Sequence, residues 1–218
     1  MMPRTGNNSG NQVSRGKGNG RVGRLPLAAA TACCIALAAN ACTDNPSHGG
    51  DESIRTDVFV TAYTWFDNTP PGSTVISHPV LHKAAGGTGT YADPVTIAVG
   101  HSRKTGQDVL DIPSGTRIYL PDVRRYFIVE DTCGDGPKPE EGPCHTGAEK
   151  YGDATLWIDM WIGGKGESQS FVRNCARKAT GVGTAIFNPK DNYQVASGHG
   201  VIHDGTCDTG YGQKASAK

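Results

Sequence analysis

The segment that says most about the architecture is residues 112–132, IPSGTRIYLPDVRRYFIVEDT. It opens with Pro113-Ser114-Gly115, three residues that favour a turn. Thr116–Leu120 then alternates polar and apolar side chains, which is typical of a strand with one buried face. Tyr126–Val129 is apolar throughout, which predicts a strand that is buried on both faces. The segment therefore predicts two short strands bounded by turn-forming residues.

The rest of the chain extends this pattern. The helical spacing of apolar residues predicts one helix over Ser168–Thr180, with Gly181 as its C-terminal cap. The 30 glycines, the 13 prolines and a charged fraction of only 19% argue against a coiled coil or a helical bundle. Short strands between frequent turns favour a small closed barrel. Three further segments have the residue types of strands: Asp57–Thr64, Val95–Val99 and Leu156–Ile162.

Residues 1–41 differ in composition from everything that follows. They contain basic residues and no acidic residue, then an apolar run that ends in Ala39-Asn40-Ala41. The run is shorter than the roughly 20 residues that span a bilayer, so it predicts an export signal. Cys42 follows at once, which also allows lipoprotein processing with Cys42 as the lipidated N-terminus. We expect four parts of the chain: an export signal at 1–41, a flexible tether at 42–56, a barrel domain at 57–196 and a Gly-rich tail at 197–218 that Cys207 holds.

The cysteines fit an exported protein. Loss of the signal and lipidation of Cys42 would leave four, enough for two disulfides in an oxidising compartment. Four cysteines allow three pairings. We favour Cys133–Cys144 and Cys175–Cys207, because each pair closes a short loop.

The overall charge is a sum of two unlike parts. The whole chain has 21 basic and 21 acidic residues, but all five charged residues in 1–41 are basic. Without that segment the chain has a net charge of −5. Such a domain has no broad attraction for nucleic acid or for anionic lipid.

Three acidic residues stand beside or inside apolar segments, where a charge is costly. Asp131 ends an apolar run, Asp159 lies between Trp157 and Trp161, and Asp67 follows the first predicted strand. An apolar environment raises the pKa of a carboxyl group, and a protonated carboxyl can donate to a glycosidic oxygen. A second carboxylate could then act as base or nucleophile. Two alternatives remain open: Asp131 could accept N–H groups of the following turn, and Asp159 could face solvent at a sheet edge.

The order of three motifs is more specific than any one acid. The motifs are Ile112–Leu120, Tyr126–Thr132 and Ile158–Gly164. In this order they resemble the double-psi β-barrel superfamily, and most of all the three-aspartate, rare lipoprotein A-like domain of lytic transglycosylases and cell-wall-remodelling proteins. Expansins, barwin-like proteins and family 45 glycoside hydrolases share related pieces. The resemblance covers residues 57–165 and implies a mostly-β, six-stranded double-psi β-barrel with one or two short helices and disulfide bonds.

The resemblance also implies roles for individual residues. Asp131 takes the place of the acid that protonates the glycosidic oxygen, and Asp159 the place of a carboxylate that expansin-like proteins retain. The first aspartate of the pattern is missing, because Gly100-His101 follows Ala98-Val99. His101 could replace it as a polar wall group of the substrate-binding site, or the site could be degenerate. Asp67 lies where family 45 enzymes keep a base, although its spacing differs.

These observations lead to one expected function and two alternatives. We expect an exported, monomeric protein that binds wall polysaccharide, either peptidoglycan or a plant or fungal glycan. Asp131 would be the general acid of lytic transglycosylase-like or glycosidase-like cleavage, assisted by Asp159, with Trp65, Trp157, Trp161 and His101 binding substrate. The alternatives are a non-catalytic expansin-like binder and a secreted protease inhibitor or effector. We expect contact with a membrane only through a lipid on Cys42.

We expect no cofactor and no metal. A zinc site built from Cys133, Cys144 and His145 would have no standard ligand spacing. His78 and His82 are four residues apart, as are His199 and His203, but proline and glycine interrupt both segments and argue against a helix that would bring the pairs together.

Overall fold

The computed structural model describes residues 50–134 and 136–218. The predicted export signal, Cys42 and most of the predicted tether lie outside these residues. Within them the chain forms ten strands and two α-helices, with short 3₁₀ turns at Pro139–Glu141 and Ala148–Lys150. The strands are β1 (Ser53–Tyr63), β2 (Val95–Val99), β3 (His101–Ser102), β4 (Val109–Leu110), β5 (Arg117–Leu120), β6 (Arg125–Thr132), β7 (Leu156–Trp161), β8 (Gly181–Phe187), β9 (Ile202–His203) and β10 (Thr206–Cys207), and the helices are α1 (Pro143–Thr146) and α2 (Gln169–Ala179).

Six strands close into a barrel in the order β1-β7-β2-β6-β5-β8. The neighbouring strands β1 and β7 run parallel, as do β2 and β6, and all other neighbouring strands of the barrel run antiparallel. The expected mostly-β fold with a closed six-stranded barrel is thus confirmed. The strand pairs β3/β4 and β9/β10 form two small separate sheets.

The barrel interior is filled by alternate apolar side chains. Ile97 and Val99 of β2, Val129 of β6, and Ile158 and Met160 of β7 are at most 1% exposed and belong to one continuous core. Since successive residues of a strand point to opposite faces, the residues between them lie on the outside of the barrel. This alternation places Trp157, Asp159 and Trp161 on the outer face of β7.

The structure differs from the predicted boundaries at both ends of the barrel. β1 begins at Ser53, so residues 53–56 belong to the first strand and not to a tether. Gly181 does not cap the helix but begins β8, a strand that the sequence patterns did not predict. The helix itself is confirmed, with Ser168 as its N-cap, whose side chain accepts a hydrogen bond from Phe171 N at 3.3 Å.

Two disulfide bonds tie the outer elements to the barrel. Cys133, at the end of β6, is bonded to Cys144 of α1, with 5.9 Å between their Cα atoms. Cys175 of α2 is bonded to Cys207 of β10, with 5.6 Å between their Cα atoms. These are the two pairings that we favoured from the sequence because each closes a short loop.

The tail from Ser197 is held at many points and not by Cys207 alone. The guanidinium of Arg125 donates hydrogen bonds to the carbonyl oxygens of Ser197 and Gly200 and to Asp208 Oδ2. Arg125 is fully buried, so water cannot satisfy its guanidinium and the protein must supply its hydrogen-bond partners. The tail provides most of these partners. Further along, the Asp122 carboxylate accepts hydrogen bonds from the side chain of residue 209 and from the backbone N–H groups of residues 210 and 212.

Among the described residues, no helix combines the length and the apolar character that crossing a membrane requires.

Candidate functional site

Four residues on four neighbouring strands form one row on the outer face of the barrel. Thr61 of β1 pairs with Asp159 of β7, and Asp159 pairs with Ala98 of β2. Ala98 in turn pairs with Asp131 of β6. Paired residues on adjacent strands share a face of the sheet, so the two carboxylates flank the small side chain of Ala98. Two strand spacings separate the Asp131 and Asp159 backbones, a distance of about 10 Å.

A bulge in β6 creates this register. Val129 pairs with Ile97, but the next residue of β2, Ala98, pairs with Asp131. Glu130 is therefore an extra residue in β6, and its side chain is fully buried. The bulge puts two consecutive acidic side chains at the same edge of the site.

The Asp131 carboxylate is held by hydrogen bonds on both oxygens. Oδ1 accepts from the backbone N–H of Ser77 at 3.0 Å, from the Ser77 hydroxyl at 3.0 Å and from Thr132 N at 2.9 Å. Oδ2 accepts from the Tyr63 hydroxyl at 3.0 Å. Burial raises the pKa of Asp131 above its ordinary value, although these donors oppose the shift. Its bond to Thr132 N is the turn contact that the sequence left open as an alternative.

Asp159 has a different environment. Its Oδ1 accepts a hydrogen bond from Thr61 Oγ1 at 2.6 Å, and within the described residues its carboxyl group has no other hydrogen-bond donor. Burial raises the pKa of Asp159, the charges of Asp67 and Asp131 add to the shift, and the hydrogen bond from Thr61 opposes it; together these effects bring the pKa to about 7. Asp159 can therefore carry a proton near neutral pH. Because β7 lies between β1 and β2 in the closed barrel, Asp159 does not lie at a sheet edge, which was the alternative from the sequence.

Asp67 contributes charge to the site but is engaged locally. Its Oδ1 accepts hydrogen bonds from Thr64 N at 2.7 Å and from Thr64 Oγ1 at 2.6 Å, which closes the turn after β1. The negative charge of Asp67 raises the pKa of Asp159. The structure thus brings all three predicted carboxylates into one region and gives each a different set of partners.

Aromatic pairs lie on either side of Asp159 along β1 and β7. On one side Trp157 packs edge-on against Phe59 with 4.8 Å between ring centroids, and its Nε1 donates to Thr61 Oγ1 at 2.8 Å. On the other side Trp161 packs against Tyr63 at 5.1 Å. Trp157 is partly exposed, but Trp161 is only 6% exposed. Trp157 therefore has a surface that a ligand can reach, whereas Trp161 mainly supports Tyr63.

Two other predicted substrate-binding residues lie in unexpected environments. His101 is fully buried, and its Nδ1 lies 2.6 Å from Asp108 Oδ1. It begins β3 of the small β3/β4 sheet, one residue after the end of β2, and its burial keeps it from forming an exposed wall of the site. Trp65 is partly exposed, and Lys165 Nζ lies over its ring, 4.9 Å from the centroid.

Several residues of the site have no distinctive sequence pattern. Ser77, Thr61 and Tyr63 supply the hydrogen bonds to the two carboxylates, and the exposed Tyr151 stacks on Phe59 with 3.8 Å between centroids. Thr61 and Tyr63 lie in the predicted strand Asp57–Thr64, but nothing in that pattern marked them as partners of the carboxylates. The others come into place through pairing across distant strands.

The described part of the chain has no group of three or more His, Cys, Asp or Glu side chains arranged to hold a metal ion. His78 Nδ1 lies 2.9 Å from Ser77 Oγ, whereas His82 lies between Glu130 and Asp93. The two histidines therefore do not face a common ligand.

Comparison with known proteins places this barrel in a family. The family model described as the DDB_G0273701 N-terminal domain matches residues 55–208. The chain belongs to the DDB_G0273701 N-terminal domain family. The matched residues begin inside β1 and end just after β10, so they cover most of β1, the other five barrel strands, the four disulfide-bonded cysteines and the three carboxylates of the site.

A Dictyostelium discoideum protein named Uncharacterized protein DDB_G0273701/DDB_G0273221 is 32% identical to this chain over 137 residues. The aligned region is 62% of this chain and 52% of the relative, so the chain spans about half the length of that protein. No solved structure gives a significant match.

Proposed function

We propose that this member of the DDB_G0273701 N-terminal domain family is an exported, monomeric protein that cleaves cell-wall polysaccharide with the acid pair Asp159 and Asp131. The observation that carries the proposal is the row in which these two carboxyl groups flank Ala98 on the outside of the barrel. Both have raised pKa values, and an aromatic side chain that a ligand can reach, Trp157, lies next to them.

We further propose that the barrel is a double-psi barrel related to the three-aspartate domains. Two parallel strand pairs, β1/β7 and β2/β6, within an otherwise antiparallel closed barrel support this assignment. The segments that carry the sequence resemblance fall on β5, β6 and β7, three strands of the same barrel.

The hydrogen bonds favour a different division of roles from the one that the resemblance implies. Asp159, with a pKa of about 7 and one donor on its carboxyl group, suits the general acid that protonates the glycosidic oxygen. Asp131 accepts hydrogen bonds on both oxygens, which suits a carboxylate that stays charged. Its charge raises the pKa of Asp159 and would stabilise positive charge on the sugar ring during cleavage.

In the lytic transglycosylase-like version no water is consumed. Asp159 gives its proton to the glycosidic oxygen as the bond to the anomeric carbon breaks. A hydroxyl group of the same sugar then attacks the anomeric carbon and returns a proton to the carboxylate, which leaves an anhydro-sugar end. One proton donor beside a bound sugar is sufficient for this reaction, and the proximity of Asp159 to the partly exposed Trp157 supports such a role.

The test is product release from defined polysaccharides. The disulfide-bonded protein is incubated with peptidoglycan, chitin and cellulose, and soluble fragments are identified by mass spectrometry. We expect fragments with the wild-type protein and a loss of about 10²–10⁴-fold in Asp159→Asn. The control is Asp153→Asn, which removes an exposed carboxylate outside the row and should leave the rate unchanged.

A non-catalytic, expansin-like binder is the second candidate, and the aromatic cluster favours it. Tyr151 is 41% exposed, stacks on Phe59 and packs edge-on against Trp157 with 5.2 Å between centroids. This cluster presents a flat apolar surface whether or not the carboxyl groups react. Binding without products, unchanged in Asp159→Asn but lost in Trp157→Ala, would establish this candidate and exclude cleavage.

Export is part of the proposal. Two disulfide bonds support it, because disulfides form and persist in the oxidising compartments that exported proteins reach. We propose that residues 1–41 are removed and that Cys42 is the site of a lipid anchor. The mass of the N-terminal peptide of the processed protein tests this, because diacylation of Cys42 adds a lipid mass that simple cleavage after Ala41 does not.

A further inference from the structure

The loop of residues 77–82, called the 77–82 loop below, is fastened to the barrel by two consecutive carboxylates. Ser77 binds Asp131 through its backbone N–H and its hydroxyl group. The rest of the loop binds Glu130, the extra residue of the bulge. The same two residues of β6 therefore form part of the acid site and hold the segment beside it.

Glu130 accepts hydrogen bonds from most of the loop. Its Oε1 accepts from the backbone N–H groups of Val80 at 3.1 Å, Leu81 at 2.5 Å and His82 at 2.8 Å. Its carbonyl oxygen accepts from His78 N at 2.9 Å. A fully buried carboxylate with this set of donors is a strong attachment point, because removing the charge leaves three N–H groups with a weaker acceptor.

The His82 ring closes the arrangement. Its Nδ1 lies 2.7 Å from Glu130 Oε2, and its Nε2 lies 2.9 Å from Asp93 Oδ1. Ionised carboxylates only accept hydrogen bonds, and a neutral imidazole has only one N–H. Both contacts are therefore favourable together when the ring is protonated. Loss of the proton would leave one ring nitrogen facing a carboxylate oxygen with a lone pair on each.

We propose that Glu130 and His82 form a proton-dependent clamp that seats the 77–82 loop beside Asp131, and that the clamp opens when His82 loses its proton. These two residues are positioning residues: they act on the acid site through Ser77, which donates to the Asp131 carboxylate. The regulatory consequence rests on the function proposed above, whereas the clamp itself can be tested without any polysaccharide.

The charges around the ring give the direction of the pH dependence. Glu130 from β6 and Asp93 from the loop before β2 face the ring directly, Asp131 follows Glu130 on β6, and His78 lies on the same loop. Burial disfavours the charged ring, but the hydrogen bonds to Asp93 and Glu130 outweigh burial and raise the pKa of His82 above its ordinary value. The clamp should be closed below that raised pKa and should open as the pH rises through it.

Hydrogen exchange at the loop amides measures the clamp directly. The chain is purified with both disulfides formed, and exchange of residues 80–82 is followed at pH 6 and pH 9, corrected for the intrinsic pH dependence of amide exchange. We expect the corrected exchange rate to rise about tenfold or more between the two values. In His82→Gln the loop should exchange rapidly at both pH values.

Two further variants separate the clamp from general destabilisation. Asp93→Asn removes one charge from a partly exposed side chain and should shift the exchange transition to lower pH, together with the His82 ring pKa measured by NMR. Glu130→Gln should release the loop at both pH values. The matched control is His78→Gln, on the same loop, which should keep the pH dependence of the wild-type protein.

The outcomes are distinct. Equal corrected exchange at pH 6 and pH 9 in the wild-type protein, or wild-type protection in His82→Gln, would overturn the clamp. If Glu130→Gln does not fold, His82→Gln and Asp93→Asn still decide the matter. A closed clamp in a protein that releases no glycan fragments would refute the proposed function and leave the clamp intact.

Discussion

Asp131 and Asp159 lie one strand to either side of Ala98, in register on the same outer face of the barrel. Alanine leaves no large side chain between the two carboxyl groups. Each carboxyl is disfavoured as an anion by burial, and the negative charge of Asp131 further favours the proton on Asp159. Asp159 is therefore the carboxyl group that keeps a proton near neutral pH, and Asp131 is the one that accepts hydrogen bonds on both oxygens.

The raised pKa of Asp159 predicts that this side chain destabilises the protein at alkaline pH. With a folded-state pKa of about 7 and an ordinary value near 3.8, the folded state binds the proton more tightly than the unfolded state. Stability from this group is lost as the pH rises from about 4 to about 7. Asp159→Asn should thus raise the free energy of unfolding by about 1–3 kcal/mol at pH 8 and change it little at pH 4.

Urea unfolding of both proteins at the two pH values measures this difference. The amide oxygen of asparagine can still accept from Thr61 Oγ1, so the variant removes the ionisable group and keeps that contact. An equal effect of the substitution at pH 4 and pH 8 would show that the pKa of Asp159 is not raised.

From the burial of Arg125 and its hydrogen bonds, we predict that this one side chain holds the tail at residues 197–218 against the barrel. Arg125→Met removes a guanidinium that donates to the carbonyls of Ser197 and Gly200 and to Asp208. Because it removes the buried Arg125–Asp208 ion pair and the guanidinium donors to the two carbonyls, we expect a loss of about 3–5 kcal/mol. Limited proteolysis should then cleave within residues 197–218 much faster than in the wild-type protein.

The neighbouring arginine is the control for this experiment. Arg124 lies over the Tyr211 ring, 4.4 Å from its centroid, and is partly exposed. Arg124→Met should cost less than about 1 kcal/mol. Similar losses in the two variants would contradict a special role for Arg125.

The disulfide between α2 and β10 should make a large contribution to stability. Cys175 and Cys207 are 32 residues apart, and both stand where an element outside the barrel meets the core. Replacing both with alanine should lower the free energy of unfolding by about 2–4 kcal/mol, mostly because the unfolded chain gains freedom. Guanidinium unfolding checks this value; an unchanged midpoint would mean that the tail is secured without the bond.

Local patterns in the sequence were sufficient for part of the fold. β2, β5, β7 and α2 were predicted because alternation, apolar runs and the helical spacing of apolar residues are visible within each segment. β8 was missed because Gly181 and Gly183 weaken any strand pattern. The structure gives a reason for Gly183: a Cβ atom there would lie 2.6 Å from Gln213 Oε1, a side chain that crosses this strand.

Long-range contacts account for what the sequence could not predict. An arginine is usually exposed, and nothing near Arg125 in the chain indicates that carbonyl groups more than 70 residues later will surround it. Asp159 was identifiable because it interrupts an apolar segment, and Asp131 because it follows an apolar run within a motif of the family resemblance. Glu130 was not, because its role depends on a bulge that only the register with β2 reveals.

The titration of the Asp159 carboxyl carbon by NMR tests the central claim most directly, because it requires no substrate. The claim is that burial, together with the charges of Asp67 and Asp131, keeps Asp159 protonated near neutral pH. The claim predicts a midpoint of about 7 in the wild-type protein and a lower midpoint in Asp131→Asn. A wild-type midpoint near 4, or one that does not move when the charge of Asp131 is removed, would contradict it.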